Sequence, residues 1–439
     1  MVVFEVRDTM KRRPRKRRGM SLAAAVLLLL SGCAAKPEQP EEETEVPVVF
    51  QEREYFSDAE LLSVEGDADL AELRAVLAAL PDIRTVEWVD CPLSADTQLS
   101  LRREYPDTLF RWDVSVNGNR FSSSLRELTV SDPGEDFDTL TKSLSLFDEL
   151  SSVRFVGWAP TNEQAAALRE TCPAVEFRYS LELFGLKLDS LAEEIDLSGI
   201  LFEDTAELEA ALVHFPRLSK VVMCECGLKN AVMDELNRKY EDIRFVWLVN
   251  VFGHALRTDA SYFIQYNLPP CYLEGSRAAN LKYCTDLIAL DLGHTGLLDW
   301  EMDFLPYMPH LQYLILAECQ ISDISDVALL PELTYFEAFL TPIKDYSPLL
   351  ECHALTDLNI CYNNHISDVD AEVLQQMTQL ERLWMYGANI SRDKIAALLE
   401  ALPECNVQYI PGPESTGGGW RDHDHYRAMR DAFHMRYMW

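Results

Sequence analysis

Eleven cysteines, nine histidines and 72 carboxylates are the side chains from which chemistry could be built in this 439-residue chain. Thiols and imidazoles hold zinc when two close pairs are spaced to reach one ion. Cys224-Glu225-Cys226 is the one close cysteine pair, and no second pair or spaced histidines accompany it. His423, His425 and His434 gather near the C-terminus, where solvated surface imidazoles are the simpler reading. Acyl or peptide hydrolysis and phosphoryl transfer have recognisable motifs in Gly-x-Ser-x-Gly, His-Glu-x-x-His and glycine-rich phosphate loops. None of these occurs, and the acids show no pairing that stands out from their number. The chain therefore reads as a non-enzyme with no cofactor and no metal. Its net charge of −33 disfavours nucleic acid, whose phosphates need a basic face.

The elements that would position any site are plainer. Leu287-x-x-Leu290-x-Leu292 recurs as Leu311-x-x-Leu314-x-Leu316, Leu333-x-x-Phe336-x-Ala338, Leu355-x-x-Leu358-x-Ile360 and Leu380-x-x-Leu383-x-Met385. The starts lie 24, 22, 22 and 25 residues apart, and a further apolar residue follows each phrase: Leu297, Ile321, Ile343, Ile366 and Ile390. One such unit, a short strand and its return, cannot bury its own apolar face. Stacked units make a parallel sheet over a continuous core. Pro306, Pro309, Pro331, Pro342, Pro348 and Pro403 argue against long helices instead. This is the leucine-rich repeat pattern, and the stretch resembles bacterial members of that family. The expected fold class is α/β, a leucine-rich repeat solenoid of parallel strands with helical or irregular returns.

In that family the slot three residues past the last inward strand position usually holds Asn or Cys, which reaches a neighbouring loop's backbone. Cys91, Cys226, Cys319 and Asn363 stand in it, so a structural role is expected for these three cysteines. Cys271 and Cys284 flank the middle of the chain; whether they pair is left open by their spacing.

A longer repeat precedes the regular one. Gly118, Gly185 and Gly253 lie 67 and 68 residues apart, each closing an alternating run: Phe110 to Val116, Phe177 to Leu183 and Phe245 to Val251. Period-2 alternation predicts strands, and the pairs Asn117-Gly118, Phe184-Gly185 and Phe252-Gly253 predict turns. A shorter strand precedes each run by 24 residues, at Val86, Val153 and Val221, with helices expected over Glu163–Thr171 and Asn230–Lys239. The 24-residue offset matches the leucine period, so these units read as the same solenoid carrying inserted hairpins. A separate α+β domain is the alternative.

At the N-terminus, Lys11 to Arg18 is basic and Leu22 to Leu30 is apolar, ahead of Leu30-Ser31-Gly32-Cys33. The order is that of a secretory signal, too short to span a bilayer stably. Its ending resembles the lipobox of bacterial lipoproteins, which implies lipidation at Cys33 and an extracytoplasmic, membrane-anchored chain. Loss of residues 1–32 removes eight Lys/Arg and two Asp/Glu, deepening the net charge to −39. The expected organisation is a signal over 1–32, an acidic Pro/Glu spacer over 33–68, three irregular repeats over 69–270, leucine-rich repeats over 271–410 and a tail over 411–439.

Between the leucines, alternate residues turn outward onto the concave sheet face. One column reads Asp291, Ile315, Glu337, Asn359, Trp384; the next reads Ala289, Tyr313, Tyr335, Asp357, Arg382. Aromatics among acids suit a cationic protein segment or a glycan. Asp291, Tyr313, Tyr335, Glu337, Asp357, Asn359, Arg382 and Trp384 are therefore the expected ligand-contacting residues of a cell-surface binding or scaffold module. A structural envelope protein without a ligand, or a surface hydrolase, are the other classes. After a Pro/Gly/Ser linker, Tyr426, Met429 and Phe433 fall on one helical face, with Trp420 before them and arginines between. The favoured reading is an arm folded back onto the acidic solenoid; a partner-binding peptide is the other.

Overall fold

The computed structural model describes residues 46–131, 136–265, 277–410 and 419–435. Its last part is one seven-stranded parallel sheet. The five strands that the leucine phrases predict are Ala289–Asp291, Tyr313–Ile315, Tyr335–Glu337, Asp357–Asn359 and Arg382–Trp384. Tyr262–Ile264 extends the ladder at one end and Asn406–Gln408 at the other. Leu290, Leu314, Phe336, Leu358 and Leu383 pair in register and are fully buried. The returns are short 3-10 turns, giving way to helices Asp368–Leu374 and Arg392–Ala401 in the last two repeats.

Before this sheet, three parallel strands and a hairpin alternate three times. Leu61–Glu65, Thr85–Val89 and Leu109–Val116 pair in parallel, and the third folds back antiparallel onto Asn119–Ser122. Glu127–Val130, Ser152–Phe155 and Glu176–Arg178 repeat the trio, as do Glu194–Asp196, Lys220–Val222 and Arg244–Val246. Hairpins Ser180–Leu183/Leu186–Asp189 and Leu248–Val251/His254–Arg257 follow them. All three turns place two residues at positive φ: Asn117 and Gly118, Phe184 and Gly185, Phe252 and Gly253. That backbone suits the right-handed twist of the strands. One apolar cluster runs from Phe50 to Leu402 through both halves. The units form a single solenoid with hairpins inserted, not a separate α+β domain.

The expected spacer over 33–68 is corrected at its end. Val48–Phe50 pairs with Arg53–Tyr55, and Leu61–Glu65 is already the first ladder strand. Phe50, Leu62 and Val64 are buried, so the apolar residues among these acids cap the open core. The boundary at 271 also moves, because Tyr262–Ile264 belongs to the later sheet. Residues 1–45, with Cys33, lie outside the described residues, as does Cys271 of the open Cys271–Cys284 question.

Each repeat turns its corner in the same way. Asp90, Glu225, His294, Glu318, Leu340 and Tyr362, two residues past the last inward position, have φ between 53° and 60°. The next residue is the ladder slot. Cys226 Sγ donates to Leu197 O at 3.2 Å, Cys319 Sγ to Leu292 O at 3.3 Å, and Asn363 Nδ2 to Ala338 O at 2.8 Å. Cys91 is equally buried but accepts from Gln98 Nε2 at 3.5 Å. Burial pushes all three thiols above the usual range, which keeps them protonated and unreactive.

Candidate functional site

The sheet's pairing puts the outward residues in the two columns that the leucine spacing predicts. Ala289, Tyr313, Tyr335, Asp357 and Arg382 are successive partners, and so are Asp291, Ile315, Glu337, Asn359 and Trp384. Their exposure is not as expected. Tyr335, Asp357, Arg382, Trp384, Asp291 and Asn359 are all buried, with Trp384 only 3% exposed, while Tyr313 and Glu337 are half-buried. The expected open concave surface is thus corrected: the chain's own C-terminal segment lies on it.

That segment comprises the short helix Gly419–Asp422 and the helix Asp424–Ala432. Trp420, Met429 and Phe433 form one apolar cluster with Ala289, Ile315, Tyr335, Cys361, Trp384 and Tyr386. Trp420 sits between two sheet aromatics, its ring centroid 4.8 Å from Trp384 and 5.6 Å from Tyr335. At the far end His434 stacks on Tyr262 at 4.8 Å, so the segment crosses the sheet from its sixth strand to its first. The helix forms because its apolar residues share one face, and His423 caps its first turn through His425 N–H.

Polar contacts fix the register of this seat. The Trp420 indole Nε1 donates to Tyr335 Oη at 2.8 Å, and Tyr335 Oη donates to Glu337 Oε2 at 2.6 Å. Burial raises the Tyr335 phenol well above its ordinary value and raises the Glu337 carboxyl too. Arg382 pairs with Asp357, donates from Nη1 to the Trp420 carbonyl at 3.0 Å, and lies 4.0 Å over the indole ring. Asp357 Oδ2 accepts from Thr356 Oγ1 and faces His425 Nδ1, both at 2.7 Å. A carboxylate beside Arg382 only accepts, so Nδ1 carries the proton. His425 Nε2 lies 3.5 Å from Glu381. His425, read from sequence as a surface imidazole, is therefore a contact of the seat. The clue was charge: an arm bearing Arg and His against a sheet face bearing three acids.

Two features are left over. The Trp384 indole Nε1 is buried with no acceptor. Asp291 is buried without a cationic pair in contact, and burial raises its carboxyl to about 7. Its Oδ1 accepts from Gly293 N at 2.9 Å. A Cβ on Gly293 would lie 3.1 Å from that same oxygen, so the glycine lets the chain pass the carboxyl. Among the described residues, no group of three or more His, Cys, Asp or Glu is placed to hold a metal, and no helix is long and apolar enough to cross a membrane.

No protein-family model matches the chain, and neither does any curated protein. Among solved structures the chain is similar to internalin C2 of Listeria monocytogenes, at 20% identity and a TM-score of 0.24 over 31% of this chain and 70% of that one. A leucine-rich repeat protein of Leptospira interrogans matches at 13% identity and 0.28, covering 76% and 91%. Internalin F of L. monocytogenes matches at 14% and 0.25, covering 74% and 92%. The fold rests on the ladder of parallel strands itself, not on these likenesses.

Proposed function

We propose that this chain is a protein-binding solenoid whose outward sheet face, from Asp291 to Tyr386, receives a helical protein segment. One observation carries the reading: the chain's own helix is seated there through a Trp anchor, two further apolar anchors and a buried ion network. Helix-in-groove recognition uses the same spaced apolar anchors, and interface energy concentrates in Trp, Tyr and Arg. A helix rather than a glycan is therefore the ligand that this chemistry favours. Titrating a synthetic peptide of residues 419–439 into a chain ending at residue 411 tests it. Saturable binding that Tyr335→Ala weakens by roughly 2 kcal/mol is expected. A folded truncated chain that takes up no peptide contradicts it.

The second part of the proposal is attachment at the outer side of a bacterial membrane through lipidated Cys33, supported by Leu30-Ser31-Gly32-Cys33 after the apolar run. Acyl chains contribute about 0.8 kcal/mol per buried methylene, so two or more anchor stably. In detergent phase partitioning from a host with the processing enzymes, the intact chain should enter the detergent phase and Cys33→Ala should not. Both chains remaining aqueous would remove this part of the proposal.

A further inference from the structure

The way the C-terminal segment is attached bears on how a partner reaches the face. Among the described residues its backbone-to-backbone hydrogen bonds are internal: Arg427 N to His423 O, Phe433 N to Met429 O, and His434 N to Asp431 O. Among the described residues, side chains make the hydrogen bonds that tie it to the sheet, with Arg382, Tyr335, Trp420, Asp357 and His425 taking part. Lifting the segment therefore breaks no rung of the parallel ladder, whose strands pair with one another throughout. Pro411-Gly412-Pro413-Glu414-Ser415-Thr416-Gly417-Gly418 joins it to the last repeat, and a Pro/Gly/Ser composition of this kind suits a tether. A helix of nine residues is marginal in water by itself, so its order depends on the seat. The fit is also incomplete, because Trp384 Nε1 is buried under the segment without an acceptor.

Taken together, these features describe an occupant that is held but separable. Removing it uncovers Tyr335, Trp384, Tyr386 and Ile315 as one apolar patch beside Asp357 and Glu337. Contiguous patches of that kind mark interaction surfaces. We infer that residues 419–435 are a built-in competitor: they keep the sheet face closed until a partner helix of like chemistry displaces them. This rests on the proposed reading of the face as a helix-binding surface. The partner it selects presents a Trp, a hydrogen-bond donor about five residues on, and two apolar anchors at the following helical turns, as Trp420, His425, Met429 and Phe433 do. A partner that also brings an acceptor to Trp384 Nε1 has an advantage over the tail. Because the tether makes the tail an intramolecular ligand at an effective concentration in the millimolar range, an external helix meets a standing competitor.

The test uses the full chain and a fluorescent synthetic peptide of residues 419–439 as probe. Three proteins are compared by anisotropy: the intact chain, Trp420→Ala/Phe433→Ala, and Ala428→Pro, which breaks the tail helix and leaves its anchors in place. Both variants should bind the probe at least tenfold more tightly than the intact chain. Adding Trp384→Ala to the first variant should abolish that gain. Equal affinity in all three proteins overturns the competitor role and leaves the helix-binding reading standing. No binding to either variant, with cooperative unfolding intact, overturns both. If Trp420→Ala/Phe433→Ala is poorly folded, Ala428→Pro decides alone, since it alters no residue in contact with the sheet core.

Discussion

Arg382→Met is expected to destabilise the C-terminal repeats by about 3–5 kcal/mol, the cost of stranding one member of a buried ion pair. Arg382 and Asp357 have side chains only 3% and 2% exposed. Without the guanidinium, Asp357 keeps Thr356 and His425 as its partners, and the Trp420 carbonyl loses its donor. The indole also loses the cation above it. Asp357→Asn added to Arg382→Met should recover much of the loss, because it removes the uncompensated charge. Urea unfolding of the two variants followed by circular dichroism measures this. A loss under about 1 kcal/mol for Arg382→Met would show that water reaches the pair and that the segment does not seal it.

Asp291→Asn is expected to do the opposite, and only above acid pH. Burial raises this carboxyl from the ordinary 3.8 to about 7. Below pH 4 it is protonated in the folded and the unfolded chain alike, so it costs folding nothing. Between pH 4 and 7 the unfolded chain releases the proton while the folded chain retains it, so stability falls as pH rises. Above pH 7 the penalty is complete, at up to about 4 kcal/mol for a rise of this size. Asn keeps an Oδ1 to accept from Gly293 N–H, so its gain should be largest near pH 8 and absent near pH 3.5. A gain that does not change with pH would show that the carboxyl is not held protonated.

Much of this was legible in the residues. The leucine period fixed the register of five strands, and so put Tyr335 beside Asp357 and Glu337 beside Asn359. The 24-residue offsets and the three turns placed the hairpin-bearing units in the same solenoid. Both readings rest on local periodicity, which a single sequence displays. The covering of the face does not. Trp420 reaches Tyr335 across 85 residues and His425 reaches Asp357 across 68, with no repeat to mark either contact. Amphipathic spacing in the tail allowed an arm folded onto the solenoid, and charge made that plausible, yet neither said which face it would meet. The outward residues therefore read as an open ligand-contacting face when they are the floor of an internal interface. At the other end, the acids around Phe50 and Leu62 hid two cap strands and the first ladder strand, because net charge outweighed a few well-placed apolar residues.

Amide hydrogen exchange across Asp424–Ala432 in the full chain tests most directly whether the sheet face holds a helix. A nine-residue helix that is not seated exchanges at nearly the rate of an unstructured peptide. The seated helix should exchange at least tenfold more slowly through Arg427 to Phe433, and Trp420→Ala should erase that protection while leaving the amides of Tyr335–Glu337 and Arg382–Trp384 protected. Free exchange of Arg427 to Phe433 in the intact chain would contradict the seat, and with it the assignment of this face as a helix-binding surface.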